Sequence, residues 1–264
     1  MGVAVAPSLR DGEAHWAGVA VAPQDEVNHQ PSGASPPCAL LRPAGLPILP
    51  SMPPHRLTAA TIGSEAALRE LLGEPTAIVR AKLSDRLNAL TRPFIERSPF
   101  LCLATADADG RCDVSPRGDP RGFVRILDDV TLLVPERPGN RLADSLRNII
   151  QNPYVGLLFV IPGVSDTFRV NGRATLTTDA GLLAPCAVEG KVPRLGILVD
   201  IEAAYTQCSK AFLRSQLWDP TGYIDRAELP SNGQILRALQ GDQVDAATYD
   251  AERAERYARR EGFY

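Results

Sequence analysis

The chain has 264 residues, a formal net charge of -3, 44% hydrophobic residues and 22% charged ones. That balance suits a folded, water-soluble chain of one or two domains. It offers no positive field for nucleic acid or an anionic membrane, and no apolar run reaches the ~20 residues of a membrane span.

Residues 1–56 hold ten of the 23 prolines and repeat Gly-Val-Ala-Val-Ala-Pro at 2–7 and 18–23. This composition reads as a disordered Pro/Ala-rich extension. Met52, the only methionine besides Met1, is a candidate natural start, with the upstream stretch then an artefact of the gene model. No basic region followed by an apolar core marks a secretory leader. The five cysteines, Cys38, Cys102, Cys112, Cys186 and Cys208, are scattered, so reduced thiols in a cytoplasmic protein are expected. The three histidines, His15, His29 and His55, all precede residue 56. A domain starting after them has no Ser-His-Asp triad and no His-ligated metal or haem. Redox chemistry there would fall to an organic cofactor.

From Ser64 the pattern changes. Ser64 caps a short helix carrying Leu68, Leu71 and Leu72, closed by Gly73. Pro75 opens a longer helix with the stripe Val79, Leu83, Leu87, Leu90 and Phe94, which Pro93 ends or bends. Strand signals follow: 100–106 and 111–117 around an Asp/Gly turn, then 123–127 and 131–134 around Asp128–Asp129. Residues 140–152 predict a helix with Leu142, Leu146, Ile149 and Ile150 on one side. Residues 154–161, 167–177 and 196–205 predict three more strands, and 246–260 a solvated helix rich in Arg and Glu. Seven strands joined mostly by hairpin turns predict a mainly β fold with flanking helices, an antiparallel barrel. The expected organisation is an extension over 1–56, a barrel domain with N-terminal helices over 57–240 and a helical tail over 241–264.

Two Arg/Gly turns, 115–118 and 137–141, flank one strand-like stretch. Arg117 stands at one strand end; Arg137, Asn140 and Arg141 stand at another, where a helix is expected to start. Such ends meet on one rim of an antiparallel layout. A phosphate there would take bidentate bonds from Arg117 and Arg141, the amides of Gly139 and Asn140, the Ser115 hydroxyl and ~0.3–1 kcal/mol from the helix dipole. The alternative is a pair of ordinary turns with solvated arginines.

Segments 113–119, 122–124, 137–141, 144–148, 156–159 and 168–174, the last reading Phe-Arg-Val-Asn-Gly-Arg-Ala, resemble in order and spacing the pyridoxamine 5′-phosphate oxidase-like flavoproteins. Within that group the chain is most similar to a bacterial branch of FMN-dependent proteins, over roughly residues 60–240. The resemblance implies a split β-barrel that forms a homodimer and binds FMN at the subunit interface. Ser115, Pro116, Arg117 and Gly118 match the strand beside the flavin that reaches its phosphate. Asn140 and Arg141 match the motif that holds the phosphate, and Arg169 matches a recurring family arginine. The segment from Cys208 to Asp219 resembles one typical of the branch. In it Lys210 either approaches the phosphate or pyrimidine side or is an exposed lysine, and Trp218 either covers an aromatic ring or packs as an ordinary tryptophan. Cys208 reads as a small buried residue.

True pyridoxamine-phosphate oxidases carry a C-terminal Arg-x-His element; this chain has no histidine after residue 55, so a vitamin-B6 substrate is not expected. The expected function is FMN-dependent hydride transfer to or from a small molecule, with NAD(P)H as one candidate donor and no identified catalytic side chain. The alternatives are an F420-dependent reductase, since F420 also presents a phosphate and a flavin-like ring, a non-catalytic flavin-binding store or sensor, and a structural dimer without cofactor.

Overall fold

The computed structural model describes residues 61–264. The expected extension, the candidate start at Met52, all three histidines and Cys38 lie outside the described residues. Among those described, no helix is long and apolar enough to cross a membrane.

The order of elements is α1 (Glu65–Leu72), α2 (Ala77–Ala81), α3 (Arg92–Glu96), β1 (Phe100–Ala106), β2 (Cys112–Gly118), β3 (Arg125–Ile126), β4 (Thr131–Pro135), α4 (Asp144–Gln151), β5 (Tyr154–Val160), β6 (Thr167–Thr177), α5 (Ala180–Leu183), β7 (Gly196–Gln207), α6 (Lys210–Ser215), α7 (Asn232–Gln240) and α8 (Ala246–Ala258). The seven strands form one sheet in the order β2-β1-β5-β6-β7-β4-β3. Every pairing is antiparallel. The fold is the expected mainly β architecture with flanking helices, an antiparallel split barrel whose free edges are β2 and β3.

Alternation explains the core. In β1, Leu101, Leu103 and Thr105 are buried and their neighbours less so; β5 repeats this with Val155, Leu157 and Phe159. These side chains meet Phe168, Val170 and Ala174 of β6, Ile197, Val199 and Ile201 of β7, and Leu132 and Val134 of β4 in one cluster. Leu133, on the other face of β4, packs with Leu183 and Cys186 instead. That second cover is why β4 is apolar on both faces and reads as a continuous hydrophobic run.

One irregularity sets the faces of β7. Asn171 pairs with Ala203, but Gly172 pairs with Ile201, so Glu202 is an extra residue in the ladder. This bulge lets Ala204 and Ile201 both face the core although they are three residues apart. Gly172 is required there, because a Cβ would collide with the carbonyl oxygen of Asp200.

Helix α1 forms as expected: the Ser64 side chain accepts from the Ala67 amide, and Gly73 closes it at φ 75°. The long helix expected from Pro75 through Phe94 does not form. The chain leaves α2 so that Ser84 can bridge to β7, the Ala204 amide donating to the Ser84 carbonyl at 2.7 Å. The Leu87 amide then donates to the Asp129 carbonyl, which buries Leu87. Asn88 Oδ1 accepts from the amides of Leu90 and Thr91 and starts a new turn. Pro93 therefore sits in the first turn of α3 instead of ending a helix. Of the expected stripe, Val79, Leu83 and Leu90 are exposed, while Phe94 stacks on Phe168 at 5.6 Å.

Replacing Gly172 by Ala should lower stability by about 1–3 kcal/mol, because neither the bulge nor the Asp200 backbone can give way cheaply. Urea unfolding measures it; an unchanged midpoint would show that the bulge is not under steric constraint.

Candidate functional site

Strand β2 is an edge strand with polar residues where its neighbour has apolar ones. Asp113, Ser115 and Arg117 pair with Thr105, Leu103 and Leu101, so they share the inward face of β1. Directly opposed residues of an antiparallel pair lie on one side of the sheet. Val114, Pro116 and Gly118 point to the outer face and are exposed.

Polar side chains on the core-facing side of an edge line a cleft of about 600 Å³ between residues 113–119, Phe123 and residues 135–146. Six of the nine expected binding residues, Ser115, Pro116, Arg117, Gly118, Asn140 and Arg141, line this one cleft. The sheet brings together two segments separated by more than a dozen residues, because β4 returns beside β7 and the chain then crosses to α4.

The cleft is held by ion pairs. Arg117 donates through Nη1 to Glu136 Oε2, and the two side chains are only 15% and 20% exposed. The Arg117 Nε is buried and has no partner among the described residues. Arg137 donates from Nε to Asp119 Oδ2 at 2.6 Å and from Nη2 to the Cys186 carbonyl at 2.8 Å. The Asp119 side chain is 1% exposed and also accepts from the Tyr264 hydroxyl at 2.8 Å, while the Arg137 guanidinium lies over the Tyr264 ring. The Asp119 carboxylate, followed by burial, holds the Tyr264 phenol above its ordinary pKa, so it stays a donor. Burial pushes the Cys186 thiol up, which keeps it a poor nucleophile. At the far end the Ser145 hydroxyl of α4 donates to Asp113 Oδ2 at 2.8 Å, and Asn148 Nδ2 donates to Thr105 Oγ1 at 3.0 Å.

The helix expected to start at residue 140 starts at Asp144. Arg141 and Ala143 have φ of 64° and 57°, left-handed values that cannot continue a right-handed helix. Asn140 Oδ1 instead accepts from the Leu142 amide at 3.0 Å. The amides of Gly139 and Asn140 therefore belong to a loop and gain no helix-terminus field. Leu142 and Ile150 are exposed, and the packed face of α4 is Ser145, Leu146 and Ile149. Two non-glycine residues with positive φ within three positions mark local strain, which clusters at ligand clamps.

Arg169, Lys210 and Trp218 do not line the cleft. Arg169 pairs with Leu158 and Tyr205 on the outer face of the sheet and its Nη1 lies 3.3 Å from the Tyr205 hydroxyl. Lys210 is exposed at the start of α6. Trp218 Nε1 donates to the Val164 carbonyl at 3.0 Å, and its ring packs on Phe212. Cys208, expected to be buried, is exposed, with its sulfur accepting from the Lys210 amide. It stands just beyond the end of β7, where the ladder no longer covers it.

Glu136, Asp119, Asp113 and Tyr264 escaped the sequence reading. The sequence signal for Asp119 and Glu136 was their position beside the Arg/Gly turns; nothing local pointed to Tyr264.

Residues 87–208, which span the whole sheet, match the family model described as pyridoxamine 5′-phosphate oxidase. No curated protein matches. Among solved structures, HupZ of Group A Streptococcus is 19% identical with a TM-score of 0.38, over 46% of this chain and 93% of that one. A candidate pyridoxamine 5′-phosphate oxidase of Lactobacillus delbrueckii is 21% identical with a TM-score of 0.36, over 46% and 95%. An FMN-binding protein of Syntrophomonas wolfei is 10% identical with a TM-score of 0.34, over 45% and 89%.

Replacing Asp119 by Ala should destabilise the fold by about 3 kcal/mol, because it leaves the Arg137 charge largely buried without its partner. Thermal unfolding reports the loss; a melting temperature equal to that of the unaltered protein would mean that Arg137 finds another acceptor.

Proposed function

We propose, for a chain that belongs to the pyridoxamine 5′-phosphate oxidase-like family through residues 87–208, that the cleft beside β2 holds the phosphate end of FMN and that the protein is an FMN-dependent oxidoreductase. The observation that carries this reading is the guanidinium of Arg117, set into the cleft wall with a buried Nε that no group among the described residues satisfies. Buried donors are nearly always paired, and an anionic ligand with several acceptor oxygens is the natural partner for an arginine.

The remaining residues fit the group. A cleft of about 600 Å³ lies within the usual size range of small-molecule sites. Arg141 supplies a second guanidinium and Ser115 a hydroxyl, while the strained loop 139–143 brings backbone amides to the same wall. When bound, FMN supplies a ring that takes up or gives back hydride. The chain's own part is to bind, orient and shield. Asp113, Asp119 and Glu136, the carboxylates facing the cleft from its strands, already accept from Ser145, from Arg137 and Tyr264, and from Arg117 respectively. Of the three, Asp119 is the most firmly engaged, with both carboxylate oxygens accepting. The same observation favours a second reading, a flavin carrier without turnover; flavin that stays oxidised with NADH, NADPH and every other donor tried would support it. F420 would use the same phosphate contacts, and mass spectrometry of the co-purifying chromophore separates the two.

The outer face of β2, β1, β5 and β6 gives the proposed homodimer its surface. Val114 and Tyr154 are 63% and 55% exposed there, beside Cys102, Ala104 and Leu158 of the same face. A second copy would cover the β2 edge as well as this apolar surface. It would also place Arg169 of this face against the partner, where the resemblance puts the flavin. A light-scattering mass of a single chain at micromolar concentration would remove the dimer.

Replacing both Arg117 and Arg141 by Ala should weaken FMN binding by about a hundredfold or more, the loss of two charge-assisted contacts, and leave riboflavin binding unchanged. Flavin fluorescence titration measures both. Equal loss for riboflavin would place the phosphate elsewhere.

A further inference from the structure

We infer that Glu136 sets the ligand selectivity of the cleft: its carboxylate is a resident counter-anion on Arg117 that a phosphate must displace. The inference rests on the phosphate reading given above.

The two ion pairs of the cleft differ in kind. In the Arg137–Asp119 pair the arginine also holds the Cys186 carbonyl, and the second carboxylate oxygen is taken by Tyr264. Both oxygens of that carboxylate are engaged, and it is sealed from water. The Arg117–Glu136 pair is incomplete. A guanidinium has five donor hydrogens, and among the described residues only Nη1 of Arg117 has an acceptor, while Nε is buried and unmatched. Among the described residues Glu136 is tied through its side chain to Arg117 alone, although its backbone is fixed, the amide donating to the Leu195 carbonyl at 2.9 Å. The anchor is rigid and the grip is single, so this pair can be exchanged without disturbing the strand.

A phosphate dianion carries more charge and more acceptor oxygens than a carboxylate. It can take two parallel hydrogen bonds from one guanidinium and so satisfy the donor that Glu136 leaves unmatched. Glu136, still 20% exposed, can then turn toward water. A neutral flavin has nothing to offer Arg117 and leaves the pair intact. A mono-anionic ligand meets a carboxylate of equal charge already in place. The cleft therefore admits phosphate-bearing ligands and discriminates against their dephosphorylated and carboxylate counterparts by displacement as well as by attraction.

The test is the affinity of FMN and riboflavin, by fluorescence titration, for the unaltered protein and for the Glu136→Gln and Arg117→Ala variants, each checked by thermal unfolding. Glu136→Ala serves if the glutamine variant does not fold. Removing the carboxylate should tighten FMN binding roughly three- to tenfold, the removal of a nearby like charge, and leave riboflavin unchanged. FMN affinity that is unchanged or weaker in Glu136→Gln, with FMN weakened in Arg117→Ala, overturns the inference and makes Glu136 a simple support for the arginine. FMN affinity unchanged in Arg117→Ala overturns the phosphate reading itself.

Discussion

A charge that faces the inside of a barrel has to be met by an opposite charge. Strand β2 puts Asp113, Arg117 and, just past its end, Asp119 on that side, and much of the architecture around the cleft answers this demand. Glu136 and Arg137 come from the segment after β4, Ser145 from α4 and Tyr264 from beyond α8. These contacts draw three distant stretches of chain to the open edge of the sheet. The edge that the sheet's hydrogen bonds leave free is thus tied down by side chains, and the cleft is the space between those ties.

The ties also divide the labour among the arginines. Arg137 is engaged through two of its nitrogens and stacked on a ring, and it acts as a structural rivet between the end of β2, the 186 turn and Tyr264. Arg117 is engaged through one atom of its guanidinium and is the one with unused capacity. Arg141 is exposed on a loop whose backbone is held in an unfavourable conformation. The proposed grip on a phosphate thus combines a nearly buried arginine and a solvated one. The first supplies specificity through its fixed place, and the second a charge that can adapt.

Much of the barrel was legible because strand periodicity and turn chemistry are local properties. Residues 100–106 and 167–177 carry alternation or apolar runs bounded by Asp, Gly and Pro, and both strands have the expected limits. The two helix misreadings have different causes, a tertiary contact in one and an unusual local backbone in the other. The stripe at 79–94 has good helical spacing, but the bridge from Ser84 to Ala204 breaks it. The apolar positions after residue 140 suit a helix, but positive φ at Arg141 and Ala143 delays it. At the site, the Arg/Gly turns were visible as motifs and Arg117, Asn140 and Arg141 could be named. The carboxylates that pair with Arg117 and Arg137 could not, because Arg117 and Glu136 are 19 residues apart and Arg137 and Asp119 are 18 apart, with Tyr264 a further 145 from Asp119. No periodicity links such pairs.

The extra residue in β7 has an effect beyond the core. Were Glu202 paired as an ordinary ladder residue, the inward set that contains Ile197, Val199 and Ile201 would continue through Ala203 to Tyr205. The tyrosine would then point into the apolar interior, where its hydroxyl would lack a partner. With the bulge, Ala204 takes the inner position and Tyr205 emerges on the outer face, beside Arg169 and with Lys82 near its ring. A single unpaired residue therefore decides that the outer surface of the barrel carries a phenol flanked by two cations.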